Sequence, residues 1–189
     1  MSKTRREALK RMAVASATIG IAGCSSSSES GTPTSGTPTE TVESSGSTTA
    51  DKSDYTVGMY TDLYFDPVGL HVQPGETIAF ELESGSHSAT AYHPDNDNAL
   101  RQRVPEGANA WDTGTFGDVG TSRNVTFETE GTHDYYCIPH KMVGMVGRIV
   151  VGEPGGPAED SENPDLKLPD SQRIVDEGEV TWEEWESNV

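Results

Sequence analysis

Val68-Gly69-Leu70-His71-Val72-Gln73-Pro74-Gly75-Glu76-Thr77-Ile78-Ala79-Phe80-Glu81-Leu82 is the stretch that decides the fold. Val68, Leu70 and Val72 alternate with other residues, Gln73-Pro74-Gly75-Glu76 makes a turn, and Ile78, Phe80 and Leu82 alternate after it. Side chains two apart share one face of a strand, so each run predicts a strand with one buried face. Val125 and Phe127 alternate similarly before a turn at Gly131, Tyr135 and Cys137 share a strand face, and Gly147-Arg148-Ile149-Val150-Val151 reads as a last strand. No stretch of this region sustains a helical period. Short strands punctuated by Gly and Pro predict an all-β Greek-key sandwich over residues 53–152. In that pattern His71 alternates with inward Leu70 and Val72 and should face solvent, and His133, beside the turn glycine, should be exposed too.

Outward from this domain the composition changes. Residues 1–24 have a basic start (Lys3, Arg5, Arg6, Lys10, Arg11) and then an apolar run, Met12 to Ala22, too short to span a bilayer. Thr4-Arg5-Arg6-Glu7-Ala8-Leu9-Lys10 resembles a twin-arginine export signal, and Ile21-Ala22-Gly23-Cys24 resembles a lipobox, which implies lipidation at Cys24 and an exported domain anchored to the outer face of the cell membrane. Residues 25–52 are almost wholly Ser, Thr, Gly, Pro and Glu, the composition of a flexible linker. Residues 153–189 hold twelve Asp and Glu against Lys167 and Arg173, which predicts a solvated acidic tail. Trp182 and Trp185 sit awkwardly in such a tail and have the means to dock on the domain or on a partner. The formal charge of the whole chain is −18, which excludes a nucleic-acid partner because phosphate binding needs a basic face.

The chemistry is concentrated in Tyr135-Tyr136-Cys137-Ile138-Pro139-His140-Lys141-Met142-Val143-Gly144-Met145-Val146-Gly147. The segment ends one strand, makes a loop and starts another. It offers a thiolate, an imidazole and a thioether within nine residues, Cys137 to Met145. Soft sulfur ligands with imidazole select copper over magnesium or calcium, and two His, one Cys and a long axial Met make a blue-copper site. Taken singly, each residue has an ordinary alternative: Cys137 an inert buried thiol, His140 an exposed loop histidine, Met145 core filler.

Cys-x₂-His-x₄-Met followed by Val-Gly resembles the ligand loop of the cupredoxins, the plastocyanin, pseudoazurin and halocyanin family, and falls on Cys137, His140 and Met145. Phe65-Asp66-Pro67 through Thr77 resembles the opening hairpin of that family, and the likeness covers residues 55–152. It implies one type 1 copper per chain, with an upstream histidine as the remaining ligand. Ser84-Gly85-Ser86-His87 stands at the expected short interval after the Ile78–Leu82 strand. His93 competes with His87, and Met142 competes with Met145. Ser88 stands where the family often has the Asn that bonds the thiolate loop. The resemblance also implies that His140 presents the edge met by redox partners, with Tyr136 in the place of a second electron-entry route.

The implied function is single-electron transfer by a monomer, mobile or tethered, between membrane or soluble redox proteins acting as donor and acceptor. An enzyme of the nitrite reductase or multicopper oxidase type needs further copper ligands, yet the domain has one Cys and no His-x-His pair. A copper carrier or storage protein, the alternative function, would use Met- or His-rich surfaces, which are absent. The acidic surface fits adaptation to high salt, as in a halophilic protein, better than partner steering, because at molar salt charges are screened within about 3 Å.

Overall fold

The computed structural model describes residues 53–188. The export signal over 1–24, lipidation at Cys24 and the linker over 25–52 lie outside the described residues. Two sheets face each other. The first has strand order β2-β1-β4-β6, where β1 is Tyr55–Tyr60, β2 Tyr64–Asp66, β4 Glu76–Leu82 and β6 Ser122–Phe127. The second has order β5-β7-β8-β3-β9, where β3 is Gly69–Val72, β5 Thr90–Ala91, β7 Gly131–Tyr136, β8 Val146–Val151 and β9 Glu179–Val180. Both sheets are mixed: β1 runs parallel to β4 and β3 parallel to β8, while the other pairs are antiparallel. The expected all-β Greek-key sandwich is thus the observed architecture.

The turn at Gln73–Glu76 differs from a hairpin. The alternating runs on either side of it do form strands with one inward face, but β3 lies in the second sheet and β4 in the first. The turn is an arch that carries the chain across the core. Leu70 and Val72 from one sheet meet Ile78, Phe80 and Leu82 from the other, with Phe65, Tyr135, Ile149 and Val151 in the same buried cluster. Burying a side chain of this size contributes about 1.5–3 kcal/mol, so this cluster is the main source of cohesion between the sheets.

The chain beyond Gly152, expected as a solvated tail, folds back onto the outer face of the second sheet. Helix α1, Ser171–Glu177, is capped by Asp170, whose side chain accepts from the N–H groups of Gln172 and Arg173. Strand β9 pairs antiparallel with β3, and helix α2, Trp182–Glu186, opens on a capping box between Thr181 and Glu184. Leu168, Ile174, Val180 and Trp185 of this segment form a second buried cluster with Val68, Tyr92, Tyr136, Val146 and Val150. Every residue of β7 and β8 is consequently buried, as in a sheet covered on both faces.

An ionic network under the C-terminal segment fastens it. Asp134 on β7 is 0% exposed and accepts from Arg103 Nε and Arg148 Nε, each at 2.7 Å. Arg103 Nη2 donates onward to the carbonyls of Ala158 (2.9 Å) and Ser161 (2.6 Å), and Arg148 Nη1 donates to Pro169 O (3.2 Å) and Ser171 Oγ (3.0 Å). A buried charge is tolerated only when paired and hydrogen-bonded. Here one carboxylate is shared by two guanidinium groups, each of which also donates to the C-terminal chain. No helix among the described residues is long and apolar enough to cross a membrane.

Candidate metal centre

Four positions were candidates, His87, Cys137, His140 and Met145; the fold gathers His87, Cys137 and His140 and sets Met145, just before β8, in the same buried cluster as Cys137. Cys137 follows β7 directly and is fully buried. His87 is held by a two-way backbone bridge to Phe116: its N–H donates to Phe116 O at 3.1 Å, and Phe116 N–H donates back at 3.0 Å. His140 rides on a 3₁₀ turn, Ile138–Val143, that Pro139 starts and Gly144 ends in the left-handed region at φ 88°. Gly85 is equally constrained. It has φ 83°, and a Cβ there would lie 2.8 Å from His87 Nε2.

The donor atoms converge. Cys137 Sγ lies 3.6 Å from His87 Nδ1 and 3.4 Å from His140 Nδ1, and the two Nδ1 atoms are 3.1 Å apart. Among the described residues this trio is the one group whose ligand atoms gather within 4.8 Å. His87 and Cys137 are buried and His140 is half-buried. Burial, then the neighbouring His140, pushes the His87 imidazole below its ordinary value, partly offset by the Ser84 backbone. Its neutral form, the one that ligates, is therefore favoured. Burial pushes the Cys137 thiol up, and hydrogen bonds from Ser88 and His140 oppose that. Two imidazole nitrogens and a thiol turned toward one another are an N₂S donor set that suits copper.

Met145 is 0% exposed in the same core cluster as Cys137, and its carbonyl accepts the Cys137 N–H at 3.0 Å. Met142 is 88% exposed, so burial separates the two competitors. His93 stands apart from the trio, near Asp95 at 3.7 Å. Ser88 fills the place of the family's usual Asn: its Oγ accepts the Ile138 N–H at 2.8 Å, and its own N–H donates to Cys137 Sγ at 3.4 Å. A short hydroxyl thus ties the thiolate loop to the His87 strand, which its position directly after His87 could have signalled.

Three expectations change. His133 is buried rather than exposed, its Nε2 bonded to Thr129 O at 2.8 Å, and His71 is half-buried against Gly152 O at 3.0 Å. Tyr136 is fully buried as well, its hydroxyl donating to Asp97 O at 2.5 Å and its ring 4.7 Å from Tyr92. A residue enclosed in this way is no surface entry point. Lys141, beside His140, was missed. It is buried and paired with Asp165 of the C-terminal segment.

A β-sandwich with a buried Cys–His–His cluster between two of its loops offers one donor set suited to a single soft metal ion. Comparison with known proteins names the kind: the family described as copper binding proteins, plastocyanin/azurin family, matches residues 52–152. Plastocyanin of Scenedesmus fuscus is 33% identical over 105 residues, 52% of this chain and 99% of its own. Pseudoazurin of Methylorubrum extorquens is 32% identical over 91 residues, 48% of this chain, and the match spans about half of that relative, 53%. Among solved structures, pseudoazurin of Methylobacterium extorquens AM1 superposes with a TM-score of 0.47 at 25% identity, over 65% of this chain and 95% of its own. The chain belongs to the plastocyanin/azurin family of copper-binding proteins, the cupredoxins, and copper is its cofactor.

Proposed function

We propose that the protein is a single-electron carrier whose one type 1 copper is held by His87, Cys137, His140 and Met145. The observation that carries this reading is the convergence of Cys137 Sγ with the Nδ1 atoms of His87 and His140 beside a fully buried methionine. Copper bound there supplies one reversible electron. The chain's part is to hold the donors still. The Phe116 bridge fixes His87, Ser88 fixes the thiolate loop and supplies an N–H to the sulfur, and the 3₁₀ turn fixes His140. With four protein donors no strong position is left for a substrate, which favours electron transfer over catalysis.

His140 is the half-buried member of the trio, and Ile138, Met142 and Val143 on its own turn are exposed apolar side chains. That rim suits brief docking of a redox protein, either membrane-bound or soluble, while Tyr136 is enclosed and offers no second entry. The carrier works as a monomer, exported through the 1–24 signal and tethered outside the cell by lipid at Cys24. One acyl chain holds only marginally, so the attachment carries more than one. The test of the site is the absorption spectrum of the Cu(II) protein: an intense blue or green band is expected, and Cys137→Ser should abolish it. A colourless Cu(II)-loaded wild type would sink the site. The anchor is tested separately by Cys24→Ala and cell fractionation, where a variant as firmly membrane-bound as wild type overturns the lipid.

A further inference from the structure

Asp165 lies beyond the residues that match the family, yet it reaches the ligand-bearing turn. Lys141 directly follows His140 and is only 3% exposed. Lysine is almost never buried unless paired. Its Nζ is paired with Asp165 Oδ2 and lies over the rings of Tyr92 at 5.1 Å and Tyr136 at 5.5 Å. Asp165 also accepts the Tyr92 hydroxyl, and its N–H donates to Asn163 Oδ1 at 3.0 Å. The Asn163 amide donates in turn to buried Asp134 at 3.1 Å, the carboxylate shared by the two arginines. One carboxylate thus joins the turn to the interior of the covered sheet.

The backbone passes that restraint to the ligands. His140 N–H donates to Cys137 O at 3.1 Å, Gly144 N–H to Lys141 O at 3.0 Å, and Met145 N–H to His140 O at 3.2 Å. A turn only six residues long, with Lys141 inside it, has no slack to absorb a displacement of Lys141 without moving a ligand.

We propose that Asp165 is a positioning residue of the copper site: by holding Lys141 it fixes the 3₁₀ turn that carries His140 and leads into Met145. The proposal rests on the copper reading above. Partners bonded directly to a ligand change metal affinity about 10- to 100-fold when removed, and Asp165, which acts through Lys141, should fall at the lower end of that range. A simpler role, anchoring the C-terminal segment alone, would alter stability and leave the metal indifferent.

The experiment compares the full chain with Asp165→Ala, Lys141→Met and Lys141→Arg, all copper-loaded. Readouts are the charge-transfer bands, the Cu(II) paramagnetic resonance spectrum and the rate of copper loss to a chelator. Asp165→Ala and Lys141→Met should lose copper about 10-fold faster and shift the band ratio, while Lys141→Arg keeps the ion pair and the wild-type values. Variants that melt lower but keep the wild-type spectrum and release rate overturn the proposal. If Asp165→Ala does not fold, Lys141→Met, of similar length and without the charge, decides the matter by the same readouts. A wild type with no intense band defeats the copper reading instead, an outcome distinct from either.

Discussion

Ile174→Ala tests whether the C-terminal segment is part of the fold. Ile174 is 0% exposed on α1, and its Cδ1 fills the notch left by Gly69 of β3, where an added Cβ would come within 2.6 Å of it. The substitution removes three carbons, and at about 0.8 kcal/mol for each buried methylene the transfer loss is about 2.4 kcal/mol. Gly69 has no side chain to close the gap, so a cavity remains and raises the total to about 3–4 kcal/mol. Each 1.4 kcal/mol is tenfold, so the folded-to-unfolded ratio should fall more than about 100-fold. For a domain of this size the melting temperature should drop by roughly 10 °C. Urea titration of the full chain, followed by tryptophan fluorescence, measures this, with Gln172→Ala on the exposed face of α1 as the control. The absorption spectrum of the copper-loaded variant should be unchanged, because Ile174 belongs to the outer cluster and Cys137 to the inner one. A loss below about 0.5 kcal/mol, the value expected of a surface position, would refute the reasoning and return the segment to solvent.

His87→Ala should destroy the charge-transfer band while His93→Ala leaves it nearly intact, and the reverse pattern would move the ligand to His93. Met142→Ala should leave the spectrum unchanged and Met145→Ala should alter it, since one side chain is exposed and the other buried. Burial holds the His133 imidazole below its ordinary value of 6.5, so the unfolded chain takes up its proton first; stability is fully present above that value and lost as pH falls below it. Melting curves from about pH 7.5 down to 5 should show this loss, and His133→Gln should lessen it, leaving the share of His87, which burial depresses too, whereas a slope as steep as wild type would acquit His133. Self-exchange between reduced and oxidised copies should drop for Met142→Glu and stay level for Tyr136→Phe; a drop for Tyr136→Phe would reopen the enclosed route.

The legible parts of this sequence were the local ones. Three of the four candidate ligands fall within Cys137–Met145, so their spacing alone displayed a donor set. Period-two alternation located β3 and β4 and their buried faces, because it reports which side of a strand is wet. It is silent on which strand lies alongside, and so it did not disclose that the turn crosses between sheets. The C-terminal segment was obscured by averaging: Leu168, Ile174, Val180 and Trp185 are scattered among twelve acids, and helices of seven and five residues are too short to establish a period. Its signals were present nonetheless. Asp170 and Thr181 with Glu184 are cap residues. Val146 to Val151, apolar at both parities except for Gly147 and Arg148, is the pattern of a strand that needs cover on both faces. The shared Asp134, by contrast, joins residues 31 and 14 positions away, a separation no local pattern discloses.

That cover also bears on the proposed function. Cys137 has two neighbours with different environments: His140, half-buried within an apolar rim, and Tyr136, enclosed by Tyr92 and Lys141 under the C-terminal segment. The same ion pair that encloses Tyr136 fastens the turn bearing His140, because Lys141 serves both. Under the proposed function, closing one route and stiffening the other are one structural event. In a carrier bearing a formal charge of −18, an apolar rim has a further advantage. Its attraction does not depend on charge and survives salt concentrations at which electrostatic steering is screened within about 3 Å.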